Sequence, residues 1–124
     1  GGPDWIMQTG TLNLTTADSG NKYILDGSGG HQTANLPIPT SPEQGVTFEF
    51  LIGNPSGTGT GHTIDAQTKD MKGGIQTGAT TQITTNAATV QLKSQGAWVR
   101  VVWLGFNWIL TGIADDASDV VFTA

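Results

Sequence analysis

Apolar and polar residues alternate with a period of two along most of the chain. Thr11-Leu12-Asn13-Leu14-Thr15 alternates, and so does Thr89-Val90-Gln91-Leu92-Lys93. From Val46 to Ile52 the same period puts Val46, Phe48, Phe50 and Ile52 on one face. Alternation of this kind over four to eight residues marks a strand with one face buried. No window carries apolar residues at helical spacing through three turns. Between the runs lie clusters of turn formers: Ala17 to Asn21, Asp26 to Gly30, Gly53 to Gly61 and Lys72-Gly73-Gly74. The pattern predicts an all-β chain of roughly nine or ten short strands, an antiparallel β-sandwich or jelly-roll-like barrel with little or no helix.

One stretch departs from alternation. Ala97 to Leu104 is followed by Gly105-Phe106 and then by Asn107 to Thr111, and both parities are apolar. A two-residue loop led by glycine is the type II′ hairpin pattern. That register pairs Trp103 with Trp108, Val102 with Ile109 and Val101 with Leu110. Apolarity on both faces asks for burial on both sides. Two walls are available: the middle of a sandwich, or another subunit, which small chains often recruit. Asn35 to Gly45 has three prolines in six positions. It cannot sit inside a ladder and reads as a crossover into the Val46 strand. The expected organisation is an N-terminal arm over 1–10, a sandwich over 11–113, and an acidic tail over 114–124 holding a last strand or docked arm.

Composition narrows the function classes. Only 12% of the 124 residues are charged, with 5 Lys plus Arg against 10 Asp plus Glu and a net charge of -5. Such a chain repels phosphates, so nucleic acid is not an expected partner. The 19 threonines suit the solvated face of a sheet. The absence of cysteine removes disulfides, thiolate nucleophiles and Cys-based zinc sites. Ala97 to Leu110 is too short for a membrane span and contains Arg100 and Asn107. Residues 1–10 have neither the basic start nor the apolar run of a signal peptide.

Candidate chemistry is sparse. His62 and Asp65 are three apart, which on a strand sets them on opposite faces, so the pair reads as a polar strand rather than a catalytic couple. The Gly53 to Gly61 loop lacks the lysine of a phosphate-binding loop and no helix follows it. Asp65 with Asp70, or Asp115, Asp116 and Asp119, do not follow the spacing of a Ca²⁺ loop and read as solvated acidic loops. Glu43 and Glu49 are the only glutamates, and a glycosidase needs two carboxylates across a cleft. There is no GxSxG elbow. The expectation is a protein that is not an enzyme and uses no cofactor or metal. Among the tryptophans, Trp98, Trp103 and Trp108 lie in dense apolar sequence and are expected to pack in a core or a subunit contact. Trp5, in a polar leader beside Ile6, is the freer anchor.

The order of these features resembles a β-rich trimeric module of tailed-phage virions, found in capsid decoration (cement) proteins and in tail-fibre or spike heads. The resemblance rests on Leu36-Pro37, on Gly45 leading Val46 to Ile52, on the Gly53–Gly61 loop, on Ile64-Asp65, on Val90-Gln91-Leu92 with Trp98, and on Asn107-Trp108. It spans about residues 11 to 112. It implies a homotrimer of small sandwiches on the capsid exterior, bound to the major capsid protein, and carries over no catalytic residue. With no long fibre-forming repeat, the chain matches a decoration subunit better than a whole fibre. On that reading Trp5, Ile6, Trp98, Trp103 and Trp108 are the capsid or subunit contacts. The alternative, a tail-fibre or spike head binding host glycan, assigns sugar contacts to Tyr23, His31 and His62 together with Trp5.

Overall fold

A computed structural model describes residues 4–27, 30–38, 45–55, 61–68 and 70–124. The Pro39 to Gln44 part of the proline-rich crossover, with Glu43, and residues 56–60 of the Gly53–Gly61 loop lie outside the described residues. Twelve strands are described. They are β1 (Trp5–Gln8), β2 (Leu12–Asn13), β3 (Lys22–Asp26), β4 (Thr33–Asn35), β5 (Thr47–Asn54) and β6 (His62–Asp65). The second half adds β7 (Met71–Thr77), β8 (Thr80–Ala87), β9 (Thr89–Leu92), β10 (Trp98–Trp103), β11 (Trp108–Ala114) and β12 (Val120–Thr123). They form two sheets, ordered β1-β3-β5-β10-β11-β7-β8 and β12-β9-β6-β4-β2. The all-β sandwich follows from the alternation, since each sheet has one apolar face to bury.

The sheets are mixed, which corrects the antiparallel expectation. Strands β1 to β6 alternate between the sheets, odd strands in the larger and even strands in the smaller. Each return to a sheet therefore runs in the same direction as the last. β1 with β3, β3 with β5, β2 with β4 and β4 with β6 are all parallel. A parallel pair needs a crossover between its members, and here a strand of the opposite sheet serves as that crossover. The period-two signal is the same for both directions, so alternation alone carries no strand direction. The second half closes the sandwich with the antiparallel pairs β7 with β8, β10 with β5, β10 with β11, β6 with β9 and β12 with β9, and with the parallel pair β11 with β7.

The β10–β11 hairpin has the register expected of it, Trp103 opposite Trp108, Val102 opposite Ile109 and Val101 opposite Leu110. Leu104 N–H donates to the Asn107 carbonyl at 3.0 Å, closing the turn around Gly105, whose φ of 104° suits a glycine-led turn. The core lies between the sheets. Phe48, Phe50, Ile52, Val99, Val101 and Leu110 enter it from the larger sheet, and Ile64, Val90 and Leu92 from the smaller.

The first and last described strands are both paired within the chain. Residues 5–8 of the expected arm form the edge strand β1 beside β3, because pairing satisfies their backbone groups. The acidic segment 115–119 is a turn capped by Asp116, whose carboxylate accepts from the Ser118 N–H. Val120–Thr123 then pairs with β9 as the last strand.

Candidate functional site

The pleat sends alternate residues of the larger sheet into the core and away from it. Three registered rows point outward. One runs Met7, Ile24, Leu51, Trp98, Ile113 and Gln76 across β1, β3, β5, β10, β11 and β7. The next runs Trp5, Lys22, Glu49, Arg100, Thr111, Gly74 and Ile83. The third holds Thr47, Val102, Ile109 and Lys72. No strand of the described chain covers this face, because the smaller sheet packs on the opposite one. The result is an apolar stripe five strands wide with Met7 59% and Ile113 55% exposed, and Ile24, Leu51 and Trp98 half-buried by their neighbours. Ile83, 71% exposed, marks the far edge.

Polar groups on this face are organised around Glu49. The Trp98 Nε1–H donates to Glu49 Oε1 at 3.0 Å, and Lys22 Nζ lies 3.9 Å from Glu49 Oε2. The same ammonium sits 5.6 Å from the centroid of the Trp5 ring, a cation–π distance. Glu49 therefore fixes one indole and one cation on the sheet surface and is engaged on both oxygens. Arg100 and Lys72 have no carboxylate partner among the described residues. A shallow hollow of about 220 Å³ opens at the foot of the stripe, lined by Gln95, Gly96, Ile113, Ala114 and Asp115.

The five expected contact residues separate. Trp98 and Trp5 are on the outward face, Trp5 38% exposed. Ile6, 40% exposed, is in register with buried Tyr23 and so lies at the open edge of the inner side. Trp103 and Trp108 are 1% and 0% exposed within the single chain, their rings 5.3 Å apart. They are core residues, which corrects their assignment to a subunit contact. Phe48 packs beside Trp108 at 6.2 Å, so the smaller sheet's side of the hairpin is filled by the chain itself. The hairpin has one wall in its own sandwich, and its second face, with Trp98, Val102, Ile109 and Ile113, is the uncovered one.

The glycan candidates are mostly employed inside the fold. Tyr23 is buried, stacks at 6.0 Å on Phe50, and its hydroxyl accepts from Asn21 Nδ2 at 3.0 Å. Burial pushes its phenol pKa up. His62 is fully buried. The Gln32 N–H donates to its Nδ1 at 3.1 Å, and its Nε2–H donates to the Asn54 carbonyl at 2.7 Å. Those two bonds fix a neutral ring protonated on Nε2. Burial depresses its pKa below 6.5, the bond to Asn54 opposes this, and His31 adds to the depression. His31 is exposed at the ring edge, but its Nδ1–H donates to the Gly61 carbonyl and its Nε2 accepts from the Thr63 hydroxyl. The two imidazoles stack with centroids 6.2 Å apart and join β6 to the end of β5. Asp65 and Asp70 form no metal cluster among the described residues; Asp65 Oδ1 accepts from the Gln67 N–H at 2.7 Å, an Asx turn.

The outward stripe is the feature that sequence reasoning missed. Its signal was present as the second apolar parity of the hairpin and as Ile24 and Leu51 between buried neighbours, but only the register aligns them. No protein-family model matches the chain, and no curated protein matches it.

Proposed function

We propose that the protein is a structural subunit that works by adhesion, a decoration (cement) protein of a tailed phage that binds the major capsid protein on the shell exterior as a homotrimer. The single observation that carries this reading is the outward face of the larger sheet. A five-strand apolar stripe on a 124-residue domain is an interaction surface rather than an ordinary solvated face. The layout of motifs supplies the kind of particle. Each bound copy stabilises the shell by mass action, since it binds the assembled lattice and not its separated parts. The glycan-binding alternative is less supported, because Tyr23 and His62 are buried and both ring nitrogens of His31 are engaged.

The test is to purify particles of the virus whose genome encodes the chain and label them with gold-tagged antibody. Dense labelling over the outside of the head, with shells stripped of the protein melting several degrees lower, is the expected result. A chain absent from purified particles, or confined to tail tips, contradicts the reading.

A further inference from the structure

We propose that Gln32 and His62 form an acid-sensitive clasp between the two sheets: protonation of His62 unfastens the smaller sheet from the larger at that end and leaves the rest of the core closed. The clasp stands apart from the reading of the protein as a shell subunit and does not depend on it.

The clasp is built where β3 and β5 end. Their parallel register shifts by one residue at Gly53, so Leu25 lies opposite Ile52 and Asp26 opposite Asn54. These two neighbouring carbonyls of the larger sheet both accept from the smaller one. The Asn54 carbonyl takes the Nε2–H of His62, the first residue of β6, at 2.7 Å. The Asp26 carbonyl takes an Nε2–H of Gln32, the residue just before β4. A third bond joins the two, since the Gln32 backbone N–H donates to His62 Nδ1 at 3.1 Å. Gln32 and His62 are 3% and 0% exposed, so solvent does not share in these bonds.

Acid acts on the third bond. Nδ1 accepts only while it holds a lone pair, and once protonated it presents an N–H to the Gln32 N–H. Two buried donors then face each other, and a charge sits in an apolar site. Both costs are relieved when Gln32 and His62 separate and the ring reaches water, which also gives up the bonds to Asn54 and Asp26. Charged groups surround the ring on several elements. Asp26 on β3 favours the imidazolium, and His31, stacked at 6.2 Å from the segment before β4, opposes it. Just after β9, Lys93 passes beside Gly61, and its N–H donates to the carbonyl of Asp119. Burial is the largest influence and keeps the ring neutral at pH 7.

The opening stays local because no other imidazole, carboxylate or amine among the described residues is buried. The hairpin end of the core, with Phe48, Trp103 and Trp108, holds nothing that titrates in this range.

The experiment is amide hydrogen exchange of the intact chain, read by NMR at about pH 7.5 and about pH 5, corrected for intrinsic rates, with and without low urea. The Gln32 and Thr63 N–H groups report on the clasp, bonded to His62 Nδ1 and to the Gln32 carbonyl. The Trp103 and Trp108 N–H groups, bonded to the Val46 and Asp70 carbonyls, report on the core. At the lower pH, Gln32 and Thr63 are expected to lose protection on the order of tenfold, through an opening that urea does not speed. Trp103 and Trp108 are expected to exchange only through urea-sensitive unfolding of the whole sandwich. His62→Gln, which keeps an acceptor for Gln32 and a donor for Asn54, is expected to lose the acid step at Gln32. Unchanged protection at Gln32 and Thr63 overturns the inference. So does exchange of all four amides with one urea dependence at about pH 5, or a full acid step in His62→Gln. If His62→Gln does not fold, His31→Gln decides, because the chain has 2 histidines. An acid step that persists in it leaves His62 as the titrating ring, the expected result, and a step lost with His31 overturns the inference.

Discussion

Burial and the Gln32 N–H, which needs the lone pair on Nδ1, hold His62 neutral, and that makes it a pH-sensitive pin. Its folded pKa is depressed below the 6.5 of an unfolded histidine. Above pH 6.5 both states are neutral and its contribution is complete. As pH falls below 6.5 the unfolded chain takes up a proton that the folded chain refuses, so stability drops until the folded pKa is passed. The loss from this one group has a limiting slope of about 1.4 kcal/mol per pH unit. Chemical denaturation between pH 7.5 and 5 should show stability falling below pH 6.5 in wild type and a shallower fall in His62→Gln, whose amide can accept from Gln32 and donate to Asn54. An equal slope in both proteins would remove His62 from the account. Trp108→Ala should cost about 3–5 kcal/mol by the same measurement, because a fully buried indole leaves a cavity. The sequence shows that His62 is polar on a strand. It does not show that this position faces inward, because the polar atoms that satisfy it come from Gln32 and Asn54 on other segments.

The elements divide by how local their determinants are. The β10–β11 hairpin was legible to the residue, since its turn chemistry and register are local to Trp103 to Trp108. The Val46 to Ile52 face was legible too, with Val46, Phe48, Phe50 and Ile52 all buried. The parallel coil of β1 to β6 was not, because alternation fixes a side chain's face and not the direction of the strand beside it. Nor was β1 legible as a strand: Trp5-Ile6-Met7 has three apolar residues in a row and all are exposed at a sheet edge. A finer device sits on β7. Gly73, at a register shift in its pairing with β8, has φ 140°, and a Cβ there would lie 1.9 Å from the Leu110 carbonyl oxygen. Gly73→Ala should therefore destabilise the fold by about 1–3 kcal/mol in thermal or denaturant melts. An unchanged midpoint would mean that β7 and β11 do not approach as closely as described.

Across the whole molecule, the sandwich uses the two faces of its larger sheet differently. The inner face closes against the smaller sheet with Phe48, Phe50, Val99, Val101 and Leu110. The outer face keeps Met7, Ile24, Leu51, Trp98 and Ile113 in one register with no strand of the described residues over them. Apolarity on both parities of the hairpin announced a second wall, and register was needed to show that five strands share it. The most direct measurement is hydroxyl-radical footprinting of the intact protein at dilute and assembling concentrations, read by mass spectrometry at each Trp and Met. Trp103, Trp108 and Met71 should stay protected throughout, while Met7 and Trp98 are modified when dilute and become protected on assembly. Modification of Met7 and Trp98 that is the same at every concentration, or oxidation of Trp103 and Trp108 in the folded chain, would contradict the account.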